Sequence, residues 1–430
     1  MINNPKPGDR VRITTKEAVF EGILIPRPEL FERGITVLKL DNGYNIGIID
    51  KKIKQIGILR KYKKKKRKVS GKLKFKKGLP TVTILSCGGT ISSRIDYRTG
   101  GVYADYTAED FAGMCPEIEK IANIKARQIM SVMSEDMGAD EWKTIAKAVA
   151  EELKKADGVV VTMGTDTLHF ATAALSFFLK NLNKPVVFTA AQRSIDRPSS
   201  DAFMNLVCSV ITAAKSNIAE VMSCMHGTSN DDYCLLIRGT KVRKMHTSRR
   251  DAFRPINDLP IARVFPEGKI EILNKNYKKP GKGKTIVDSC FEEKVALIYV
   301  YPNMNPDIID YFIHKGCKGI VIAATALGHV PTTKNSLLPN IKRAVKKGIP
   351  VVIASQTLYG RTHPYVYTNL RKLSIQLGCI FAEDMTPETA YVKLGYVLSK
   401  ARSTDKVRSM MLENLAGEIS KRIMPETFLY

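Results

Sequence analysis

Two hydroxyls flank one carboxylate at Gly164-Thr165-Asp166-Thr167, inside the stretch KKADGVVVTMGTDTLHFATAALSFFL of residues 154–179. A buried strand over Val159 to Thr162 is expected to run into this turn, and a helix to follow with Leu168, Ala171, Leu175 and Phe178 on one face. Threonine and aspartate at a helix start satisfy free backbone N–H groups there. They also suit a reacting site, because open α/β sheets place their sites at the carboxyl ends of the strands, although this segment alone favours the cap. Three further segments share this double character. Cys87-Gly88-Gly89-Thr90-Ile91 leaves a strand on paired glycines and delivers a hydroxyl, in a pattern that does not match a GxGxxG dinucleotide loop. Met133-Ser134-Glu135-Asp136-Met137 precedes a helix expected near Ala139, and Val242-Arg243-Lys244-Met245-His246-Thr247-Ser248 follows a strand over Tyr233 to Ile237. A threonine hydroxyl is a weak nucleophile at neutral pH and needs a base and an orienting partner. A lysine serves as that base only in its neutral form, which burial or neighbouring positive charge favours and a carboxylate opposes. His169 and His246 lie near these segments, yet neither has a partner at triad spacing.

The elements that must position these residues alternate strand and helix. TVTILSCGGTI, GVVVTMGTDT, KPVVFTAAQRS and AEVMSCMHGT each join an apolar strand to a polar or glycine turn, which predicts a doubly wound parallel sheet. Strands at VALIYVYP, GIVIAATALGHV and PVVIAS predict a second, smaller α/β unit. Before both, Asp9 to Ile13, Val19 to Ile25, Ile35 to Leu40 and Tyr44 to Ile48 read as short strands, with Asp41-Asn42-Gly43 as a hairpin turn. The expected organisation is a small SH3- or Sm-like β-barrel over 1–60, a basic linker over 61–79, an α/β domain over 80–273, a smaller α/β domain over 285–400 and a helical tail over 401–430. NKNYKKPGKGK at 274–284 marks the boundary between the two α/β units.

Composition narrows the function classes. The chain has no run near the roughly 20 apolar residues of a membrane span and no apolar segment at its start that would act as a secretory signal. Its eight cysteines include no CxxC pair and no zinc spacing, which suits reduced thiols in a cytoplasmic protein with no metal site. Formal net charge is +26, and residues 60–77 hold 12 Lys or Arg and no acid. That run, centred on Lys61 to Lys68, reads either as an electrostatic footprint for RNA or as a solvated linker. No RNA-binding signature accompanies it.

Taken together, Cys87 to Ile91, Met163 to Thr167 and Val242 to Lys244 resemble the L-asparaginase family, whose motifs read TGGTI, HGTDT and a lysine in a VxK turn. DYRTG at 96–100, AAQRSIDRPSSDAFMNL at 190–206, ALGHVP at 326–331, YGRTHPYVY at 359–367 and AEDMTPETAYVKL at 382–394 are similar to one branch of it, the D subunits of archaeal glutamyl-tRNA(Gln) amidotransferases. Two positions depart from the pattern: Cys87 stands for the usual threonine and Met163 for the usual histidine. The resemblance implies an asparaginase-type fold and a glutaminase that releases ammonia from glutamine or asparagine. It implies Thr90 as the nucleophile, Thr165 aligning water, Asp166 orienting the site and holding the substrate's α-amino group, and Lys244 as base. The residues by themselves leave open which of the two threonines is acylated. Ser134 would bind the substrate carboxylate, and Tyr103 matches a lid tyrosine, a place that Tyr97 could also fill. No cofactor is implied in this chain. The implied partner is an E subunit, which uses ATP and Mg2+ to amidate Glu-tRNA(Gln), in a heterotetramer of two D-type and two E-type chains built on a D-type homodimer. A free-standing L-asparaginase and a non-catalytic RNA-binding scaffold are the rival readings. The N-terminal strands and basic run speak against the first, and the full set of catalytic residue types against the second.

Overall fold

The computed structural model describes residues 5–26, 34–42, 44–62, 75–89, 93–95, 102–104, 117–195 and 199–430. Thr90, Tyr97, most of the basic run (63–74) and parts of the 90–116 segment lie outside the described residues, as does Gly43 of the hairpin turn.

The N-terminal residues form a five-stranded antiparallel sheet in the order Asn45–Ile49, Ile35–Lys39, Val19–Ile25, Arg10–Thr15, Ile53–Arg60. Alternation along Arg10–Thr15 turns Val11 and Ile13 inward, where they meet Leu38 and Ile48, and leaves Arg10 and Arg12 outside to pair with Asp41 and Glu21. The fifth strand was not among the sequence expectations. Its pairing with Arg10–Thr15 shifts register at two places, and those irregularities spoil the period-two pattern that would reveal it.

The larger α/β unit carries an eight-stranded sheet. Its parallel half runs Asn123–Gln128, Thr81–Ser86, Gly158–Thr162, Val186–Thr189, Val221–His226. Cys234–Arg238, Ala262–Val264 and Ile270–Ile272 extend it antiparallel. The four inner parallel strands are buried on both faces, which is why they read as largely apolar runs, while the edge strand Asn123–Gln128 is polar and partly exposed. Val160, Val187 and Met222 face the helix Ala202–Lys215. Val159, Val161 and Phe188 face the opposite layer, the helices Ala139–Leu153 and Leu168–Phe178.

That second layer is shared. A four-stranded parallel sheet, Val295–Tyr299, Gly319–Ala324, Val351–Ser355, Ile380–Phe381, forms the smaller unit. One face packs on Asp307–His314 and Leu338–Lys346. From the other side the helix Pro387–Leu398 joins the core of the larger unit, so Val321, Val352, Val392 and Leu394 belong to the same apolar cluster as Trp142, Leu168 and Phe178.

Apart from one 3-10 turn at Pro425–Thr427, the expected helical tail is α-helical only over Thr404–Leu412. Beyond it the backbone N–H groups of Leu415 and Ala416 go to the Glu418 carboxylate, at 2.9 and 2.6 Å, and Gly417 adopts a φ of 80°. Glu418 is itself buried against Lys393, 2.6 Å away, so the tail is a strap laid across Pro387–Leu398. Among the described residues no helix is long and apolar enough to cross a membrane.

Candidate active site

The chemistry-bearing turns meet at the carboxyl edge of the parallel strands. Thr81–Ser86 and Gly158–Thr162 are in register through Ser86 and Thr162, and the Cys87 N–H donates to the Thr162 carbonyl at 2.9 Å. Glycine lets the turns beyond them touch. Gly88 and Gly89 have φ of 102° and 82°, and a Cβ on Gly89 would stand 2.3 Å from the backbone nitrogen of Gly164. A Cβ on Gly164 would stand 2.6 Å from Ser134 Oγ. Three loops are therefore stacked at backbone distance. Cys87 and Met163, the two departures from the motif, are fully buried beneath them, and burial pushes the Cys87 thiol far up, so it stays protonated.

Lys244 arrives from the hairpin Val242–Lys244 with Phe253–Pro255. Its Nζ donates to Thr165 Oγ1 at 2.9 Å and to Asp166 Oδ1 at 2.6 Å, and the Thr165 hydroxyl donates to the same carboxylate oxygen at 3.1 Å. The three groups form a closed triangle. The Lys244 ammonium holds the Asp166 carboxyl below the usual carboxylate range. Lys244 is mostly buried, with 12% of its side chain exposed, while Asp166 is open to solvent at 59%. The carboxylate thus faces outward, where an incoming cation such as an α-ammonium group can reach it.

Ser134 is buried beside this triangle. Its Oγ accepts the Asp166 N–H at 3.2 Å, which leaves its own proton free to donate to a ligand, and its carbonyl accepts from the Thr167 hydroxyl. Of the residues singled out in the sequence, the structure brings Ser134, Thr165, Asp166 and Lys244 together. Thr90, the residue after Gly89, lies outside the described residues. Tyr103 sits on Val102–Ala104, paired with Arg94 of Ser93–Ile95.

The two histidines take other parts. His169 is buried, its Nδ1 without a hydrogen-bond partner among the described residues, and burial with the nearby Arg243 and Lys244 charges pushes its pKa down to about 3. His246 is exposed and its Nδ1 accepts the N–H groups of Ser248 and Arg249, both at 3.0 Å, which closes the turn after Lys244. Sequence reasoning did not single out the contacts that hold this hairpin from below. Lys241 pairs with Asp384 at 2.7 Å, and Arg243 with Glu388 at 2.5 Å, both acids coming from the smaller unit. Nothing in the local spacing signals a pairing across more than 140 residues.

Family profiles described as GatD N-terminal domain, Asparaginase, N-terminal, and Glutaminase/Asparaginase C-terminal domain match residues 5–59, 81–278 and 294–411. The glutamyl-tRNA(Gln) amidotransferase D subunit of Pyrococcus abyssi is 52% identical over 99% of this chain and 98% of its own. The chain belongs to the family of glutamyl-tRNA(Gln) amidotransferase D subunits. The family member from Methanothermobacter thermautotrophicus is 47% identical over 96% of this chain and 94% of its own. The solved L-asparaginase of Thermococcus kodakarensis matches at a TM-score of 0.72 and 30% identity, over 80% of this chain and all of its own. The D-subunit family thus combines an asparaginase-type body with the N-terminal sheet.

Proposed function

We propose that the chain is the glutamine-hydrolysing subunit of a tRNA-dependent amidotransferase, supplying ammonia to a partner that converts Glu-tRNA(Gln) to Gln-tRNA(Gln). The observation that carries this reading is the Lys244–Thr165–Asp166 triangle at the strand edge, in a chain so similar to named D subunits. Thr90 attacks the side-chain carboxamide carbon of glutamine or asparagine. The C–N bond breaks, the leaving nitrogen takes a proton, and ammonia departs from a threonyl ester. Water aligned by Thr165 then adds to the ester carbonyl, and the Thr90 hydroxyl is regenerated with release of the acid. Lys244 accepts and returns the protons, and Asp166 keeps it oriented and grips the α-amino group. Ser134 donates to the substrate carboxylate, and Tyr103 covers the site. No cofactor enters this half-reaction, since asparaginase-type amide hydrolysis is carried by side chains alone.

Amidation itself needs the γ-carboxylate of the glutamyl group to be activated, and we assign that step to an E subunit using ATP and Mg2+. Two D-type chains and two E-type chains form the assembly, around a homodimer of the chain described here, in the cytoplasm. In this reading the N-terminal sheet (1–60) and linker (61–79) serve the complex, and the two α/β units (80–273 and 285–400) with the tail (401–430) serve amide hydrolysis. An L-asparaginase covers only the body of the chain, and the match to the GatD N-terminal domain over 5–59 favours the subunit role over a free-standing asparaginase.

The test separates the two half-reactions. Thr90→Ala, Thr165→Ala, Asp166→Asn and Lys244→Met are each expected to abolish ammonia release from glutamine, while amidation of Glu-tRNA(Gln) with ammonium chloride persists. Members of one unit are also non-additive, so a double variant loses little beyond a single one. Turnover at the parental rate in Lys244→Met removes the lysine from the mechanism. Loss of the ammonium-dependent reaction in all four variants points to a damaged complex instead.

A further inference from the structure

We infer that the smaller α/β unit sets the aim of Lys244 through the Arg243–Glu388 ion pair, which makes Arg243 and Glu388 positioning residues for amide hydrolysis. The inference rests on the reading of Lys244 as the base.

Side chains alternate along an extended strand, so Arg243 and Lys244 leave Val242–Lys244 on opposite sides. Pinning Arg243 therefore fixes the rotation of the strand about its axis, and with it the direction of Lys244. Lys241 lies in the turn just before the strand, its N–H donating to the Arg238 carbonyl at 2.9 Å and its carbonyl accepting the Ile256 N–H at 2.8 Å. Both pins reach into the smaller unit. Lys241 Nζ lies 2.7 Å from Asp384, both groups fully buried, and Arg243 Nη1 lies 2.5 Å from Glu388 Oε1. A third tie sits one residue back, where the Thr240 carbonyl accepts from the Thr389 hydroxyl at 3.0 Å. All three acceptors or partners come from Asp384 to Thr389, the turn that opens the helix Pro387–Leu398. Glu388 is in the first turn of that helix, where the helix dipole favours a carboxylate.

The two pins differ in kind. Asp384 is saturated: besides Lys241 it accepts the Ser420 N–H at 3.0 Å. The Arg243–Glu388 contact is not. It is close but off the hydrogen-bonding axis, so Arg243 Nη1 and Glu388 Oε2 remain buried with no hydrogen-bond partner among the described residues. Tyr299, on the first strand of the smaller sheet, donates to Glu388 Oε1 at only 3.4 Å, and His169 Nδ1 is a further such atom near the Arg243 and Lys244 charges. A saturated bond anchors; an under-used one can exchange partners. Arg243–Glu388 is thus the adjustable contact between the smaller unit and the base, and a shift of Pro387–Leu398 against the larger unit reaches Lys244 through it.

The experiment measures glutamine hydrolysis by the full chain with its partner subunit present, for Arg243→Met, Glu388→Gln and the double variant, beside Lys244→Met. Misplacing a reacting group by an ångström costs about 10²-fold. Each single variant is expected to lower kcat by about that factor while leaving the glutamine KM within about twofold. The double variant should fall no further, because the residues act as a pair. Arg243→Lys, which keeps the charge, should recover part of the loss. Parental kcat in both single variants, with only a lower melting temperature, makes the pair merely structural and overturns the inference. So does a strictly multiplicative loss in the double variant. If Arg243→Met does not fold, Glu388→Gln decides alone, since it keeps the side-chain shape. A dead Lys244→Met chain beside fully active Arg243 and Glu388 variants overturns the inference and leaves the glutaminase reading standing. An active Lys244→Met chain removes the base and the inference with it.

Discussion

Lys244 donates to a carboxylate and a hydroxyl at once, and the threonine proton is directed at the same carboxylate oxygen, so Lys244 has to give up a proton before it can serve as the base. This arrangement has a pH signature with a definite sign. The Asp166 carboxyl is held below its ordinary range by Lys244, so whatever the pair adds to folding is complete above the unfolded carboxyl's pKa, near 4. It is lost as pH falls through the depressed folded value. The difference in unfolding midpoint between the parent chain and Asp166→Asn should be flat at neutral pH and shrink only below about pH 4. Titrating unfolding midpoints from pH 7 to pH 3 checks this, and a difference that grows towards acid contradicts the assigned polarity. Ser134 makes a second residue-level case. With Asp166 N–H already accepted, its hydroxyl proton is what remains for a substrate carboxylate. Ser134→Ala should therefore raise the glutamine KM by about tenfold, the cost of one charge-assisted hydrogen bond. A lower kcat at unchanged KM would give Ser134 a different part.

At the scale of elements, the stacked loops depend on missing side chains. Gly89 combines a φ of 82° with a Cβ position 2.3 Å from backbone, so Gly89→Ala meets both conformational strain and a clash that no flexible side chain can relieve. Overpacking of this kind costs about 1–3 kcal/mol, which a core of this size can absorb. The expected outcome is a folded chain with native far-UV circular dichroism and glutamine turnover reduced by about 10²-fold, because the loop bearing Thr90 is displaced. This part of the site was legible in the sequence, because paired glycines, a Thr-Asp-Thr turn and a lysine after an apolar strand are local patterns. So were the inner parallel strands, whose burial on both faces leaves continuous apolar runs such as Gly158–Thr162, whereas the polar edge strand Asn123–Gln128 was not. Elements whose form is decided by distant partners were not. Ile53–Arg60 is a strand because Arg10–Thr15 pairs with it across two register shifts. Residues after Leu412 leave the helix because Glu418 captures the Leu415 and Ala416 N–H groups. The Arg243–Glu388 contact joins segments that only the packing of two sheets brings together.

The tail is held on the helix Pro387–Leu398 by charge as well as by apolar surface. Lys393, on Pro387–Leu398, donates to the carbonyls of Met411 and Glu413 and pairs with Glu418, both side chains being fully buried. Removing one member of such a pair strands the other, at about 3–5 kcal/mol. Glu418→Ala should thus lower stability by that amount in denaturant titration, more than Lys393→Met with Glu418→Leu together, where no charge is left buried. A Glu418→Ala chain as stable as its parent would mean that water reaches Lys393.

The apolar cluster that runs from Trp142 and Phe178 through Val392 to Val321 has a consequence for heating. Elements sharing one core cannot lose it separately, so both α/β units should melt in a single cooperative step. The N-terminal sheet owns a core built on four buried residues, Val11, Ile13, Leu38 and Ile48, and a domain of that size is marginal alone. Calorimetry of the isolated chain should therefore show two transitions, a small one first. Trp142, the chain's single tryptophan, sits in the shared core, so its fluorescence should be silent through the first transition and follow the second.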